Sequence, residues 1–213
     1  MGASVPKQFL RIGGKTILQI SIERVLEAVP DAHIVLALPG QYREFWLEEC
    51  EKSNLYIRQS IVDGGITRFH SVKNALEKVP DDAMVAVHDA VRPFAGVQLI
   101  RELFARAENA DAVIPVVPVT DTLKVLRRNE AGELEQCPGQ SADRSILYGA
   151  QTPQVFHADV LKRAYCQPFD TSFTDDASVV SAMGVEIKYI PGQRYNIKIT
   201  TPEDMEIAAK LME

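Results

Sequence analysis

Cysteine is scarce and scattered: Cys50, Cys137 and Cys166 are the only three in the 213-residue chain. With no CxxC or Cys/His spacing there is no zinc pattern, and reduced thiols in the cytoplasm are the simplest reading. No apolar run approaches the roughly 20 residues that span a bilayer, and no secretory signal stands at the start, so no membrane partner is expected. A basic surplus is also missing. The net charge of −6 argues against a nonspecific nucleic-acid binder, which needs a basic footprint, although a few local Lys and Arg residues could still hold phosphates. No His–acid or Ser–His constellation suggests a general base or an activated nucleophile. His70, without a partner at useful spacing, reads as an ordinary residue.

What remains has the composition of a folded domain, 46% hydrophobic and 7% aromatic, with no repeat and no low-complexity linker. Strand-like and helix-like segments alternate. Apolar runs at 33–38, 56–62, 84–87 and 112–117 read as strands, the first stopped by Pro39-Gly40 and the second by Asp63-Gly64-Gly65. Helical spacing marks 18–29, 42–52, 72–79 and 97–107. Such alternation predicts an α/β fold with a mostly parallel sheet and helices on both faces, whose strands are apolar throughout. The rhythm breaks at about 118–150, where two strand-like pieces, 122–128 and 132–137, flank an Asn129-Glu130-Ala131-Gly132 turn. No crossover helix fits there, so this insertion into an otherwise single domain, 1–213, reads as a projecting β-arm. An isolated arm is marginal in water and is expected to pack on a second subunit. Further on, 158–165 and 177–183 read as helices and 185–190 and 195–199 as strands. A last helix opens at Thr201-Pro202-Glu203-Asp204, with a threonine cap, proline at the first position and acids in the first turn.

The most informative stretch is Val85-Ala-Val-His-Asp-Ala-Val-Arg-Pro-Phe94. A buried strand ends abruptly in His88, Asp89 and Arg92, and Pro93 forbids its continuation. Ligands of open α/β sheets bind beyond such strand ends, and an acid with an arginine there could handle a metal and a phosphate. The plainer alternative is a pair of turn residues. Asp63-Gly64-Gly65-Ile66-Thr67-Arg68, followed by Ser71, joins glycines that admit close backbone approach to a helix start with free N–H groups; alone it could be a glycine turn capped by Thr67. Gln151-Thr152-Pro153-Gln154 could be only a turn. In Asn196-Ile197-Lys198-Ile199-Thr200, strand alternation would put Lys198 on one face with Asn196 and Thr200, where it could simply be solvated, as could Lys7 in Val5-Pro-Lys-Gln8.

Taken together and in order, Pro6-Lys7-Gln8, Gly64-Gly65-x-Thr-Arg-x-x-Ser71, His88-Asp89-Ala90-x-Arg92-Pro93, Asp121-Thr122-x-Lys124, Asp143-Arg144, Gln151-Thr152-Pro153-Gln154, Thr174-Asp175-Asp176-Ala177-Ser178 and Asn196-Ile197-Lys198-Ile199-Thr200 resemble the 2-C-methyl-D-erythritol 4-phosphate cytidylyltransferases of the non-mevalonate isoprenoid pathway. The resemblance runs from Met1 to Leu211. It implies a Rossmann-like nucleotidyltransferase fold, a homodimer joined through β-arms, and magnesium or another divalent cation as cofactor. The reaction implied joins CTP to methylerythritol 4-phosphate and releases pyrophosphate. Carried over residue by residue, the resemblance assigns Lys7 and Lys198 to the reacting α-phosphate. It assigns Asp63, Gly64, Gly65, Ser71, Asp89 and Ala90 to the nucleotide, with Asp89 at the metal, directly or through water. Arg92, Thr122, Arg144, Thr152, Thr174 and Lys198 go to the acceptor substrate, Thr122 and Arg144 from the arm and so into the partner's site. Family members begin with a strand and a glycine-rich phosphate loop ending in Arg-Met-Gly. Met1-Gly2 stands where that motif would finish, so the strand and loop are expected outside this numbering. Two alternatives stay open: a ribitol 5-phosphate or other polyol-phosphate cytidylyltransferase, and a nucleotide-binding protein without catalysis.

Overall fold

The computed structural model describes residues 5–212; Met1-Gly2 lies outside them. Lys7–Phe9 make one 3-10 turn, and Arg11–Ile12 (β1) and Lys15–Thr16 (β2) form a small antiparallel hairpin. Its turn residues Gly13 and Gly14 have φ of 57° and 86°, the left-handed conformation that a Cβ resists. Ile17–Ala28 (α1) starts where the Thr16 hydroxyl accepts the Gln19 N–H at 3.1 Å. Ile34–Leu38 (β3) and Gln59–Asp63 (β4) pair in parallel, joined through Arg43–Lys52 (α2). Trp46 of α2 is 1% exposed, and its indole N–H is satisfied by Gln59 Oε1 at 2.8 Å.

Arg68–Leu76 (α3) leads to Met84–Val87 (β5), then Val97–Ala107 (α4) and Ala112–Pro118 (β6). Leu126–Arg128 (β7) and Leu134–Gln136 (β8) form the outlying hairpin, and Tyr148–Ala150 (β9) brings the chain back. Gln154–His157 (β10), Ala158–Ala164 (α5), Asp176–Ser181 (α6), Lys188–Pro191 (β11) and Pro202–Leu211 (α7) follow. The main sheet has the order β11-β6-β10-β5, with β9 also on β6. β5, β6 and β11 run one way; β10 runs against β5 and β6, and β9 against β6. β9 and β10 lie end to end along β6, and the break between them is Gln151-Thr152-Pro153.

Side chains alternate across this sheet. Ile114 and Phe156 pack with Phe69, Leu161 and Val180 from α3, α5 and α6. Their neighbours Val113 and Val155 pack with Leu99 and Leu103 of α4 on the other face. Helices therefore cover both faces, which is why the strands are apolar without alternation. Among the described residues no helix is long and apolar enough to cross a membrane.

Three readings of the sequence need correction. β10 has no counterpart in the sequence reading, which leaves Gln151-Thr152-Pro153-Gln154 as an open turn and marks no strand after it: only Val155 and Phe156 are apolar in β10, and a proline precedes it. β10 separates β5 from β6, so these two strands share a direction without sharing hydrogen bonds. The stretch 195–199 is not a strand. It is held by single bonds, such as Ile199 N–H to Val91 O at 2.9 Å, and its faces differ from the expected alternation: Asn196 is buried at 0% exposure while Lys198 and Thr200 are exposed. Third, the arm's paired strands are shorter than expected, and 122–125 carries no strand.

Candidate functional site

Asp89 follows β5 at the edge of the sheet and collects three cations. Lys198 Nζ lies 2.9 Å from its Oδ2, Arg92 Nε 3.6 Å from the same oxygen, and Arg68 Nε 3.4 Å from Oδ1. Burial pushes the Asp89 carboxyl up, but the Lys198 hydrogen bond and the charges of Arg68, Lys198 and Arg92 outweigh it and hold the group below the usual carboxylate range. Arg92 is shifted down because burial outweighs the pull of Asp89; it remains a cation. Its Nη1 donates to Asn196 O at 2.8 Å, tying the strand end to the stretch that bears Lys198. Lys7 Nζ donates to Thr200 O at 2.6 Å, so the two lysines singled out in the sequence come to one short segment from opposite ends of the chain.

Arg68 is the residue that sequence reasoning quoted without a role. Its Nη2 donates to Asp176 Oδ2 at 2.6 Å, and Asp176, 0% exposed, also accepts the Tyr165 hydroxyl at 2.6 Å. Burial pulls the Arg68 guanidinium down, but Asp176 and Asp89 more than offset that and raise it; burial and Asp176 push the Tyr165 phenol up, so it stays a donor. One signal was available. Arg68 opens a helix, where the macrodipole disfavours a cation, so a distant anion was to be sought.

The glycine loop is built for close approach. Gly65 N–H donates to Ser71 Oγ, and Ser71 Oγ donates to Thr67 O, both at 3.0 Å. A Cβ on Gly65 would lie 2.3 Å from His70 Cβ and 2.7 Å from its carbonyl carbon, so only glycine fits. Thr67 caps α3, and His70 makes only a local bond, 2.8 Å to Thr67 Oγ1. Gly64 N–H donates to Leu38 O at 2.9 Å. Asp63, at the end of β4, is exposed and lies 3.8 Å from Arg43. Ala90 O accepts the Ser21 hydroxyl at 3.0 Å.

Thr174 is exposed just ahead of α6, its N–H donating to Ser178 Oγ at 3.0 Å. Asp175 and Ser178 form the capping box that starts this helix. Thr122 and Arg144 are exposed on the arm, Arg144 Nη1 donating to Thr120 O at 2.8 Å. Among the described residues no hydrogen bond or ion pair joins them to the Asp89 cluster. Thr152, expected at the substrate, is 5% exposed, and its hydroxyl is taken up by His88 and by the Asp89 N–H, at 2.9 and 3.0 Å. Both bonds tie it to the end of β5.

No group of three or more His, Cys, Asp or Glu side chains able to hold a metal occurs among the described residues. One carboxylate amid cations does not make a protein cage for a metal. It fits magnesium carried by phosphates, because that ion commonly keeps its waters and takes only one or two carboxylates from the protein.

A profile of the family described as 2-C-methyl-D-erythritol 4-phosphate cytidylyltransferase (IspD) matches residues 1–213. The enzyme of that name from Bacteroides fragilis is 46% identical over 212 residues, covering 100% of this chain and 93% of the relative. The one from Phocaeicola vulgatus is 43% identical over 213 residues with the same coverage. Among solved structures, the 4-diphosphocytidyl-2C-methyl-D-erythritol synthase of Anaerococcus prevotii superposes with a TM-score of 0.80 at 25% identity, over 99% of this chain and 92% of that one. The 2-C-methyl-D-erythritol 4-phosphate cytidylyltransferase of Thermus thermophilus gives 0.76 at 30% identity, over 97% and 93%.

Proposed function

The chain belongs to the 2-C-methyl-D-erythritol 4-phosphate cytidylyltransferase family, and from that membership we infer that it transfers the cytidylyl group of CTP to 2-C-methyl-D-erythritol 4-phosphate. An acceptor phosphate oxygen attacks the α-phosphorus, the bond from that phosphorus to the β-phosphate oxygen breaks, and pyrophosphate leaves. The attacking oxygen is already anionic at neutral pH, so no general base is needed. Catalysis is positioning plus stabilisation of charge at the α-phosphate.

The observation that carries the reading is the surplus of cations around Asp89: Arg68, Arg92 and Lys198 within 4 Å, with Lys7 bonded two residues beyond Lys198. Such a group is suited to dense phosphate charge. In our proposal Lys198 and Lys7 supply mobile point charges at the α-phosphate, while Arg92 and Thr174 face the acceptor. Gly64, Gly65, Asp63, Ser71 and Ala90 present backbone and short polar groups to the nucleoside. Magnesium held by the triphosphate, with Asp89 as its protein carboxylate, would neutralise phosphate charge. The free thiols of Cys50, Cys137 and Cys166 suit a reducing compartment, and we place the enzyme in the cytoplasm.

The test is pyrophosphate release with CTP and magnesium, methylerythritol 4-phosphate being compared with ribitol 5-phosphate. A clear preference for the first is expected. Preference for ribitol 5-phosphate, or nucleotide binding without release, would overturn the assignment.

We further propose a homodimer joined through the arm. Leu126, Leu134, Ile146 and Tyr148 are 44%, 63%, 74% and 57% exposed on or beside it, apolar surface that two strands cannot cover. If Arg144 serves the partner's site, then mixing inactive Arg144→Ala subunits with inactive Lys198→Ala subunits should restore activity. Half the dimers formed by random exchange are mixed, and each has one intact site, so about a quarter of all sites recover. No recovery, with exchange verified by labelled subunits, would leave Arg144 a local residue.

A further inference from the structure

The segment 166–174 leads from α5 into α6 and carries Thr174 at its end. Between Pro168 and Phe173, hydrogen bonds do not tie it to the body of the protein. Among the described residues the bonds there are internal: the Phe173 N–H donates to Asp170 O at 3.1 Å and the Ser172 N–H to Asp170 Oδ1 at 2.8 Å. Rings hold it instead. Phe69 of α3, 6% exposed, lies nearly parallel to Tyr165, with centroids 4.6 Å apart and 25° between the planes, and nearly parallel to Phe173, at 5.9 Å and 19°. Phe169, 42% exposed, closes on the same group, 5.6 Å from Phe69 and 5.4 Å from the His70 ring. Phe173 also packs against the core cluster of Phe156, Leu161 and Val180.

These rings join two sides of the site. Phe69 follows Arg68, whose guanidinium bonds Asp176 and reaches Asp89, so the helix that receives Phe173 is itself tied to the charged cluster. Phe173 is the chain neighbour of Thr174. From the α6 side the Thr174 N–H is held by Ser178 Oγ at 3.0 Å; from the other side the stacked Phe173 sets where the chain enters. A ring suits that task, because it offers a large rigid face with only two rotatable bonds and so fixes a position at low entropic cost. A leucine would fill part of the space without giving Phe69 a flat partner.

We propose that Phe173, backed by Phe169, is a positioning residue for the acceptor substrate: its stack on Phe69 sets Thr174 at a fixed spacing from the Arg68–Asp89 side of the site. This rests on the reading that Thr174 faces the acceptor. The effect is specific to one substrate. The glycine loop is held by its own bonds to Ser71 and Leu38, and Lys198 by Asp89, so loss of the stack releases Thr174 and leaves the groups assigned to CTP in place.

Phe173→Leu keeps an apolar side chain on the cluster and removes the ring. It should lower kcat/KM for methylerythritol 4-phosphate about 10- to 100-fold, up to the cost of an ångström of misplacement, mostly through KM, with KM for CTP held within about 3-fold. An enzyme that is only destabilised would lose kcat and keep both KM values. Combined with Thr174→Ala, Phe173→Leu should cost clearly less than the product of the single losses, because both act on one contact with the acceptor. Phe169→Leu, at a half-exposed position, should act in the same direction and carries the same test should Phe173→Leu not fold. Amide hydrogen exchange of the ligand-free protein should rise across 168–174 in Phe173→Leu while α3 and α6 keep their protection; this tests the docking of the segment whatever the substrate. Unchanged exchange overturns the docking itself. A wild-type KM for the acceptor, a rise in both KM values together, or multiplicative losses overturn the positioning role. A Thr174→Ala enzyme with ordinary acceptor kinetics overturns the assignment of Thr174, and the role given to Phe173 falls with it even where exchange has risen.

Discussion

Lys198→Ala is expected to turn over about 10²–10³-fold more slowly than wild type, the loss that follows removal of one preorganised charge-stabilising group, while half-saturation by CTP changes little. The side chain is well placed for such an effect. It is 45% exposed, yet its Nζ rests 2.9 Å from Asp89 Oδ2, so it is oriented by a fixed anion and still free to move to a phosphate. Its contribution to folding is small, because a half-exposed pair is worth at most about 1 kcal/mol, and Arg68 and Arg92 continue to pair Asp89 when it is gone. Lys198→Arg should fare almost as badly, since a planar fork does not replace a compact ammonium. Steady-state kcat and KM, with melting temperature as a control, decide the matter. Wild-type turnover in a folded alanine variant would remove Lys198 from the transition state.

The parts of this site that could be read from the sequence are those whose signals are local. Residues 84–87 and 97–107 match β5 and α4 end for end, because an apolar run closed by Pro93 and a Leu99-Ile100-Leu103-Ala107 stripe need no distant partner to be recognised. The α7 start was equally plain. Its Asp204 carboxylate accepts the Thr201 N–H at 2.8 Å while the Thr201 hydroxyl accepts the Asp204 N–H at 3.3 Å. The contacts that define the cluster are of another kind. Arg68 meets Asp176 across 108 positions of sequence, and Arg92 reaches Asn196 across 104; no spacing rule reports such meetings. Thr152 shows the cost of that blindness. A threonine between two glutamines and a proline has the composition of an exposed turn, and only the antiparallel return along β6 puts it inside. Asn196 was misplaced for the same reason: period-two alternation assumes a strand, and the stretch has no continuous partner to make it one.

Arg68→Met should cost the fold about 3 kcal/mol, the lower end of what breaking a buried ion pair costs, and for a chain of this length that corresponds to a fall in Tm of about 6–12 °C. The argument turns on Asp176 rather than on the arginine. Asp176 is 0% exposed and has two partners, Arg68 at 2.6 Å and the Tyr165 hydroxyl at 2.6 Å. Methionine can follow the aliphatic stem of the arginine, so packing is largely kept, but it leaves a carboxylate in the core with a single neutral donor. The guanidinium is itself 37% exposed, and for that reason the low end of the range applies. Asp176→Asn in the same chain removes the buried charge while preserving an acceptor for Tyr165, so the double variant should recover most of the lost stability. The two substitutions also separate fold from function. In the double variant Asp89 still lacks one of its three cations, so its carboxyl should sit closer to the ordinary range and turnover should remain impaired after stability returns. Thermal unfolding of the two single variants and the double one, followed by activity at a temperature where all are folded, supplies the measurement. An Arg68→Met protein that melts with wild type would mean that Asp176 finds another partner, and the bridge from α6 to Asp89 would then have no structural role.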